Sequence, residues 1–291
     1  MIEIVKVENK DQEREFVMFP FSLYKGCDYW VPPIISEELE SMDKEKNPVF
    51  ENAEAEFYIA KKDGVTVGRI AAMVNWVEIE EQKKNKLRFG WYDTIDDLEV
   101  SKKLLESVIE FGKKRKLEFV DGPVGFSNMD KAGLLIDGYE ELNTMITWYH
   151  YPYQKEHLKK LGFSKLAEWV EYKIKIFSAE DAPEKVKKFS KIIQQRYELK
   201  VLNFKSRKEI IPYVDKMFEL LNVTYSNLQT YVTIKQYQID FYKEKFIKYI
   251  HPDFIKCCLD KDDNLIAFLI TMPSFSSCLL YTSDAADDDR S

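Results

Sequence analysis

The chain reads as a mixed α/β (α+β) protein: a mixed sheet flanked by helices, followed by a second, truncated copy of the same pattern. Three observations predict this. Residues 56–60 (EFYIA) and 65–74 (VTVGRIAAMV) are two β-rich runs joined through Lys62-Asp63-Gly64, and Asp-Gly between such runs is a strong hairpin signal. Residues 87–92 (LRFGWY) read as a strand that passes through a polar turn at 94–97 into a long amphipathic helix. Beyond the tract SAEDAPE at 178–184 the order of elements restarts. That tract is the best domain boundary by composition.

Taken in order, residues 1–7 alternate apolar and charged side chains, which suits a first strand. Residues 11–24 carry the helical stripe Phe16, Phe19 and Leu23, which Pro20 is expected to bend or end. A rigid aromatic turn, YWVPP, precedes the polar helix or extended loop SEELESMDKEK. The hairpin follows, then a short charged helix within 76–86. In the long helix Leu98, Leu104, Leu105, Val108 and Phe111 recur near 3.6-residue spacing, with Lys113, Lys114 and Arg115 at the C-terminal end. Residues 118–120 read as the next strand and lead into a glycine-rich loop holding Gly122, Gly125, Gly133 and Gly138. A helix over 154–160 ends at Gly162, the left-handed C-terminal position, and the alternating residues 166–176 predict a closing strand. Past the boundary come a helix over 184–196, a strand over 199–204, a helix over 208–221, an aromatic helical region, and a second hairpin across 254–271.

The 291 residues allow two domains, with scarce glycine and proline and abundant aromatics. A net charge of −7 without a basic block argues against nucleic acid as a partner. There is no apolar run of about 18 residues and no signal-like N-terminus, so a cytoplasmic chain without a membrane partner is expected. Cys27, Cys257, Cys258 and Cys278 lack metal-ligand spacing and the three histidines are scattered, so no metal is expected.

The loop 122–138 combines flexible backbone with Ser127, Asn128, Asp130 and Asp137. It is the best candidate for a small-molecule pocket, the alternative being a structural crossover. His150 lies among Trp148, Tyr149, Tyr151 and Tyr153, as a base with orienting groups or as one member of a packed aromatic cluster. The turn DTIDD has no glycine and carries Asp93, Asp96 and Asp97, which suit helix capping and would repel a phosphate.

Two stretches carry a family resemblance. DGVTVGRIAAMVN resembles the second hairpin strand of GNAT acyltransferases, and YQKEHLKKLGFSKLAEWVEYKI resembles their closing helix, LGF turn and final strand. With the order of elements, the resemblance covers residues 1–177, and a second copy covers 178–277. NPVF, GRIAA, GPVGFSN and GLLIDGY are similar to segments of a bacterial tandem GNAT-like group whose members are longer than this chain. The resemblance implies acetyl-CoA or another acyl-CoA as donor and a small-molecule amine as acceptor. It implies that the strand holding Phe89, Gly90, Trp91 and Tyr92 offers backbone groups to the pantetheine arm. The family's pyrophosphate loop maps onto Asp93 to Asp97, which has no glycine, and its general-acid tyrosine maps onto Leu158. His150, Tyr151 and Tyr153 are the remaining catalytic candidates, the two tyrosines lying one to two turns earlier. Two readings stay open: a GNAT-like N-acyltransferase, inactive in truncated form, and a non-catalytic GNAT-like module that binds a metabolite or a protein.

From Cys278 the chain reads CLLYTSDAADDDRS, which resembles a translated sequencing adapter through Asp287. Residues 278–291 are therefore expected to be a non-native tail, and the reading frame to have been cut after Ser277.

Overall fold

In a computed structural model of the chain, residues 1–175, 178, 180–246 and 250–280 are described. Ile176, at the end of the expected closing strand, and most of the adapter-like tail lie outside them. The chain divides into two units, Met1–Glu168 together with residues from Ser274, and Trp169–Pro273.

The first unit is a five-stranded sheet in sequential order flanked by helices. Strand β1 (Ile2–Lys6) pairs antiparallel with β2 (Ala53–Lys62), and β2 with β3 (Val65–Asn75). Asp63 and Gly64 join β2 to β3 with φ of 53° and 83°. Two positive φ values give the turn a twist that matches the strands, which is why Asp-Gly sits there. Strand β4 (Lys86–Thr94) is antiparallel to β3 and parallel to β5 (Phe119–Asp121), so the sheet is mixed.

Between β1 and β2 lie α1 (Lys10–Leu23) and α2 (Ile35–Met42). A short helix α3 (Trp76–Glu80) leads into β4. The long α4 (Leu98–Lys114) buries Val100, Leu104, Leu105, Val108 and Phe111 against one sheet face. Phe16 and Val17 of α1 pack on the other face with Phe57, Ile59 and Met73. Helix α5 (Pro152–Lys160) closes on Gly162 at φ 90°.

Two expectations need correction. Pro20 does not end α1. The Phe16 carbonyl, which a proline at Pro20 cannot serve, receives Nη1 of Arg69 at 3.1 Å instead. No strand forms over the described residues 166–175. Trp169, Val170, Tyr172 and Ile174 are all more than half exposed; the alternation is present, but no strand among the described residues pairs with it.

The second unit holds α6 (Glu184–Arg196), β6 (Lys200–Asn203), α7 (Arg207–Tyr225), α8 (Gln236–Phe246), β7 (Ile255–Leu259) and β8 (Leu265–Ile270). Its antiparallel sheet runs β6-β7-β8. Strand, two helices and hairpin thus follow the order β1-α1-α2-β2-β3, with the same strand order. Ile210, Val214 and Met217 of α7 cover Ile255, Cys257 and Leu259. Cys257 faces this core, which pushes its thiol pKa up to about 11, and Cys258 faces the other way.

Candidate functional site

Strand β4 is the organising element of the first unit. Against β3, Arg69 pairs with Asp93 and Ala71 with Gly90, so Trp91 and Tyr92 together oppose the single residue Ile70. This is a β-bulge, and Trp91 takes the left-handed φ of 47°. The bulge re-aims the strand. Phe89 and Tyr92, three apart, both face α4, with ring centroids 6.0 Å apart, whereas Trp91 faces α1 and α2. Trp91 Nε1 donates to Glu38 at 2.6 Å. Gly90 is obligatory, because a Cβ there would meet the Val124 carbonyl at 2.6 Å.

On the α1 face the bulge delivers Asp93 into a buried network. Its two oxygens accept from Tyr24 Oη at 2.7 Å and Arg69 Nε at 2.7 Å. Tyr24 also lies 3.0 Å from the Tyr149 carbonyl, and burial beside the Asp93 charge drives its pKa well up. His150 is 1% exposed, and burial lowers its pKa to about 4 against the opposing pull of Asp93. Its Nδ1 accepts from the Leu135 amide at 3.2 Å, which places the proton of the neutral ring on Nε2.

At the other end of β4, the start of α4 is closed by the chain itself. Asp97 is its N-cap, accepting from the Glu99 amide at 3.0 Å and pairing with Lys62 at 3.2 Å. Asp96 accepts from His157 Nε2 at 3.2 Å, and His157 Nδ1 lies 2.8 Å from Ser101 Oγ. Serine, histidine and aspartate are thus linked as in a nucleophilic triad, but with inverted burial. Ser101 is fully buried beneath Tyr92 Oη, while the Asp96 side chain is 71% exposed. A nucleophile there meets no substrate.

The β4 edge that diverges from β5 is likewise occupied. Gln154 Nε2 donates to the Tyr92 carbonyl at 3.2 Å, Tyr153 Oη to the Thr94 carbonyl at 2.6 Å, and the Val124 amide to the Phe89 carbonyl at 2.8 Å. The turn carries Asp93, Asp96 and Asp97, whose charges oppose a phosphate, and two side chains and a main-chain amide occupy the carbonyls of this edge.

The remaining sequence candidates are dispersed. Tyr151 stacks on Tyr153 with centroids 5.7 Å apart and packs against Tyr24. Ser127 and Asp130 come together in a tight turn, where the Asp130 carboxylate accepts from the Ser127 amide at 2.9 Å; Asn128 lies between them. Asp137 stands apart and exposed. Among the described residues no group of three His, Cys, Asp or Glu side chains is placed to hold a metal ion. No described helix is long and apolar enough to cross a membrane.

Sequence reading missed Tyr24, Arg69, Lys131 and Glu38, which wall a small pocket beside the bulge. The signal for Arg69 was available. A charged residue inside the apolar run VTVGRIAAMV is buried only if paired. Lys86 and Arg88 carry the same signal on β4. Both are buried: Lys86 reaches Asp121 at 2.7 Å, and Arg88 grips Glu78 through two bonds of 2.7 Å.

No family model matches the chain. It is 25% identical over 275 residues to Protein YghO of Escherichia coli, an alignment covering 93% of this chain and 68% of that one. It is 22% identical over 174 residues to the bacterial ceramide synthase of Caulobacter vibrioides, covering 59% of this chain and 45% of that one. Among solved structures, a tandem GNAT protein from the clavulanic acid biosynthesis pathway aligns over 94% of this chain and 76% of its own, at 10% identity and a TM-score of 0.44. Up to Phe163 the elements of the first unit follow the order that the GNAT resemblance implies.

Proposed function

We propose that the chain is part of a tandem GNAT-type N-acyltransferase, which moves an acyl group from a thioester such as acetyl-CoA or a longer acyl-CoA to the amine of a small molecule. The observation that carries this reading is the repeated strand, helix, helix, hairpin order in two units. The similarity to a bacterial ceramide synthase supports it, since a ceramide is the amide of an amino alcohol. The filled turn at β4 and α4 supports a donor site elsewhere in the protein. Catalysis in such a protein is chiefly positioning of a neutral amine beside the acyl carbon, with an N–H donor aimed at the developing oxyanion.

The second reading is a non-catalytic module that binds a metabolite or a protein. What favours it is the same turn, where Asp97, Gln154 and Tyr153 take the positions a cofactor would need. One experiment separates the two. The full-length gene product is incubated with acetyl-CoA or long-chain acyl-CoA and a panel of amino alcohols and amino acids. Amide formation establishes the transferase. Absence of any amide, together with no heat of CoA binding by calorimetry, leaves the binding module.

A further inference from the structure

Helix α6 differs from its neighbours in the second unit. None of its residues is buried, whereas α7 sets Ile210, Val214 and Met217 into the core and α8 buries Ile239. It is nonetheless amphipathic. Val186, Phe189 and Ile193 recur at i, i+3 and i+7 and form one stripe, which Tyr197 continues past the last turn. These four side chains are 46–59% exposed. Lys187, Lys188 and Lys191 lie on the opposite side, and Lys185 and Arg196 border the stripe. Lys185 Nζ is 5.9 Å from the Phe189 ring centroid, and the Arg196 guanidinium is 5.5 Å from that of Tyr197. Glu184, the only carboxylate of the helix, pairs with Lys187 at 3.0 Å. The other four cations make no ion pair with the described residues. The helix thus carries five cations against one carboxylate, in a chain of net charge −7.

We propose that α6 docks on the surface of an anionic lipid bilayer, with Val186, Phe189 and Ile193 sunk toward the acyl chains and the lysines among the headgroups. A protein groove that took the stripe would leave Lys187, Lys188 and Lys191 in water on the far side, with no part in binding. A nucleic acid would use the lysines and leave the stripe exposed. An anionic bilayer engages both, because its apolar interior lies directly beneath a charged layer that surrounds a helix resting in it. Lys185 and Arg196 can lay their stems along Phe189 and Tyr197 while their charges reach the headgroups. The helix is only about 20 Å long, so its apolar area is small and the charge makes the binding selective. It lies on the membrane and does not cross it. The proposal is independent of the acyltransferase reading: absence of vesicle binding overturns it whether or not an amide is formed, and vesicle binding says nothing for the transferase.

The test is co-sedimentation. The intact protein is mixed with vesicles of phosphatidylcholine alone and with vesicles of equal parts phosphatidylcholine and phosphatidylglycerol. It is expected to pellet with the anionic vesicles only. It should be released when salt is raised from about 0.15 M to about 1 M, where the screening length falls from about 8 Å to about 3 Å. Lys188→Gln and Lys191→Gln should each weaken binding about fivefold, and Phe189→Gln at least as much. All three side chains are exposed, so each variant should keep the parental unfolding midpoint and binding is read on folded protein. No pelleting with anionic vesicles, equal pelleting with phosphatidylcholine alone, or unchanged binding in the three variants would overturn the proposal. Loss of the fold in Phe189→Gln would do so too, by showing the stripe packed within the protein; the two lysine variants then still read the charge. Binding to duplex DNA in place of vesicles would assign the lysines to nucleic acid and likewise overturn it.

Discussion

Arg69 Nη1 donates to the Phe16 main-chain carbonyl at 3.1 Å, and that carbonyl is the one that loses its helical partner to Pro20. The same guanidinium holds Asp93 at 2.7 Å and lies over the Phe16 ring at 5.1 Å. One side chain therefore repairs a proline defect in α1, neutralises a buried carboxylate on β4, and joins the helix to the bulged strand.

Removing it tests all three. Arg69→Met leaves Asp93 charged and Phe16 unpaired in the interior, a loss of about 3–5 kcal/mol in denaturant unfolding. Pro20→Ala returns an N–H to the Phe16 carbonyl, so the double variant should be more stable than Arg69→Met by about 1 kcal/mol. A strictly additive cycle would show that the proline and the arginine are not coupled.

Burial of His150 as a neutral ring makes stability depend on pH. Its folded pKa, about 4, lies below the ordinary value of 6.5. The unfolded chain therefore binds this proton first as pH falls. The contribution is complete above pH 6.5, declines from there to about pH 4, and is lost below it. Its size is about 3 kcal/mol from the pKa difference. His150→Gln preserves an acceptor for the Leu135 amide and removes the titration. Unfolding free energies measured from pH 8 to pH 4 should fall more steeply in the parent than in this variant; parallel curves would contradict a buried neutral ring.

The hairpin and the long helix were legible in the sequence because each is encoded locally, in a turn dipeptide or a 3.6-residue stripe. The bulge at Trp91 was not. Simple alternation places Phe89 and Trp91 on one face, whereas the extra residue sends them to opposite cores. Only pairing with β3 fixes that register. The pocket was missed for a related reason. Glu38, Arg69 and Lys131 are distant in sequence and meet only after the bulge has turned Asp93 toward α1. The closing strand over 166–175 was over-read, because alternation marks a segment that suits a strand but does not supply its partner.

The cluster on the far side of β4 gives a third prediction. Glu78 receives both Arg88 nitrogens at 2.7 Å and Lys86 at 3.2 Å, and both cations and Glu78 are almost wholly buried. Glu78→Gln removes the charge of the carboxylate that both buried cations share. It should cost about 3–5 kcal/mol, far more than replacing an exposed partner such as Glu110, which should cost under about 1 kcal/mol. Chemical denaturation of the two variants side by side measures the contrast.

Tyr153 separates a structural from a chemical role at the β4 edge. Its hydroxyl donates to the Thr94 carbonyl at 2.6 Å, and burial beside Tyr151 and Asp93 raises its pKa, so it stays protonated and acts as a donor. Tyr153→Phe removes that donor from the carbonyl of the buried Thr94, at a cost of about 1–2 kcal/mol. Gln154→Leu removes the neighbouring donor to the Tyr92 carbonyl and should cost a comparable amount, so both variants lower the unfolding midpoint. A proton-donating role in acyl transfer would show differently. Tyr153→Phe would then lower kcat strongly and alter its pH profile while Gln154→Leu, equally destabilised, would not. Equal losses of stability with no difference in turnover would assign both side chains to holding the strand edge.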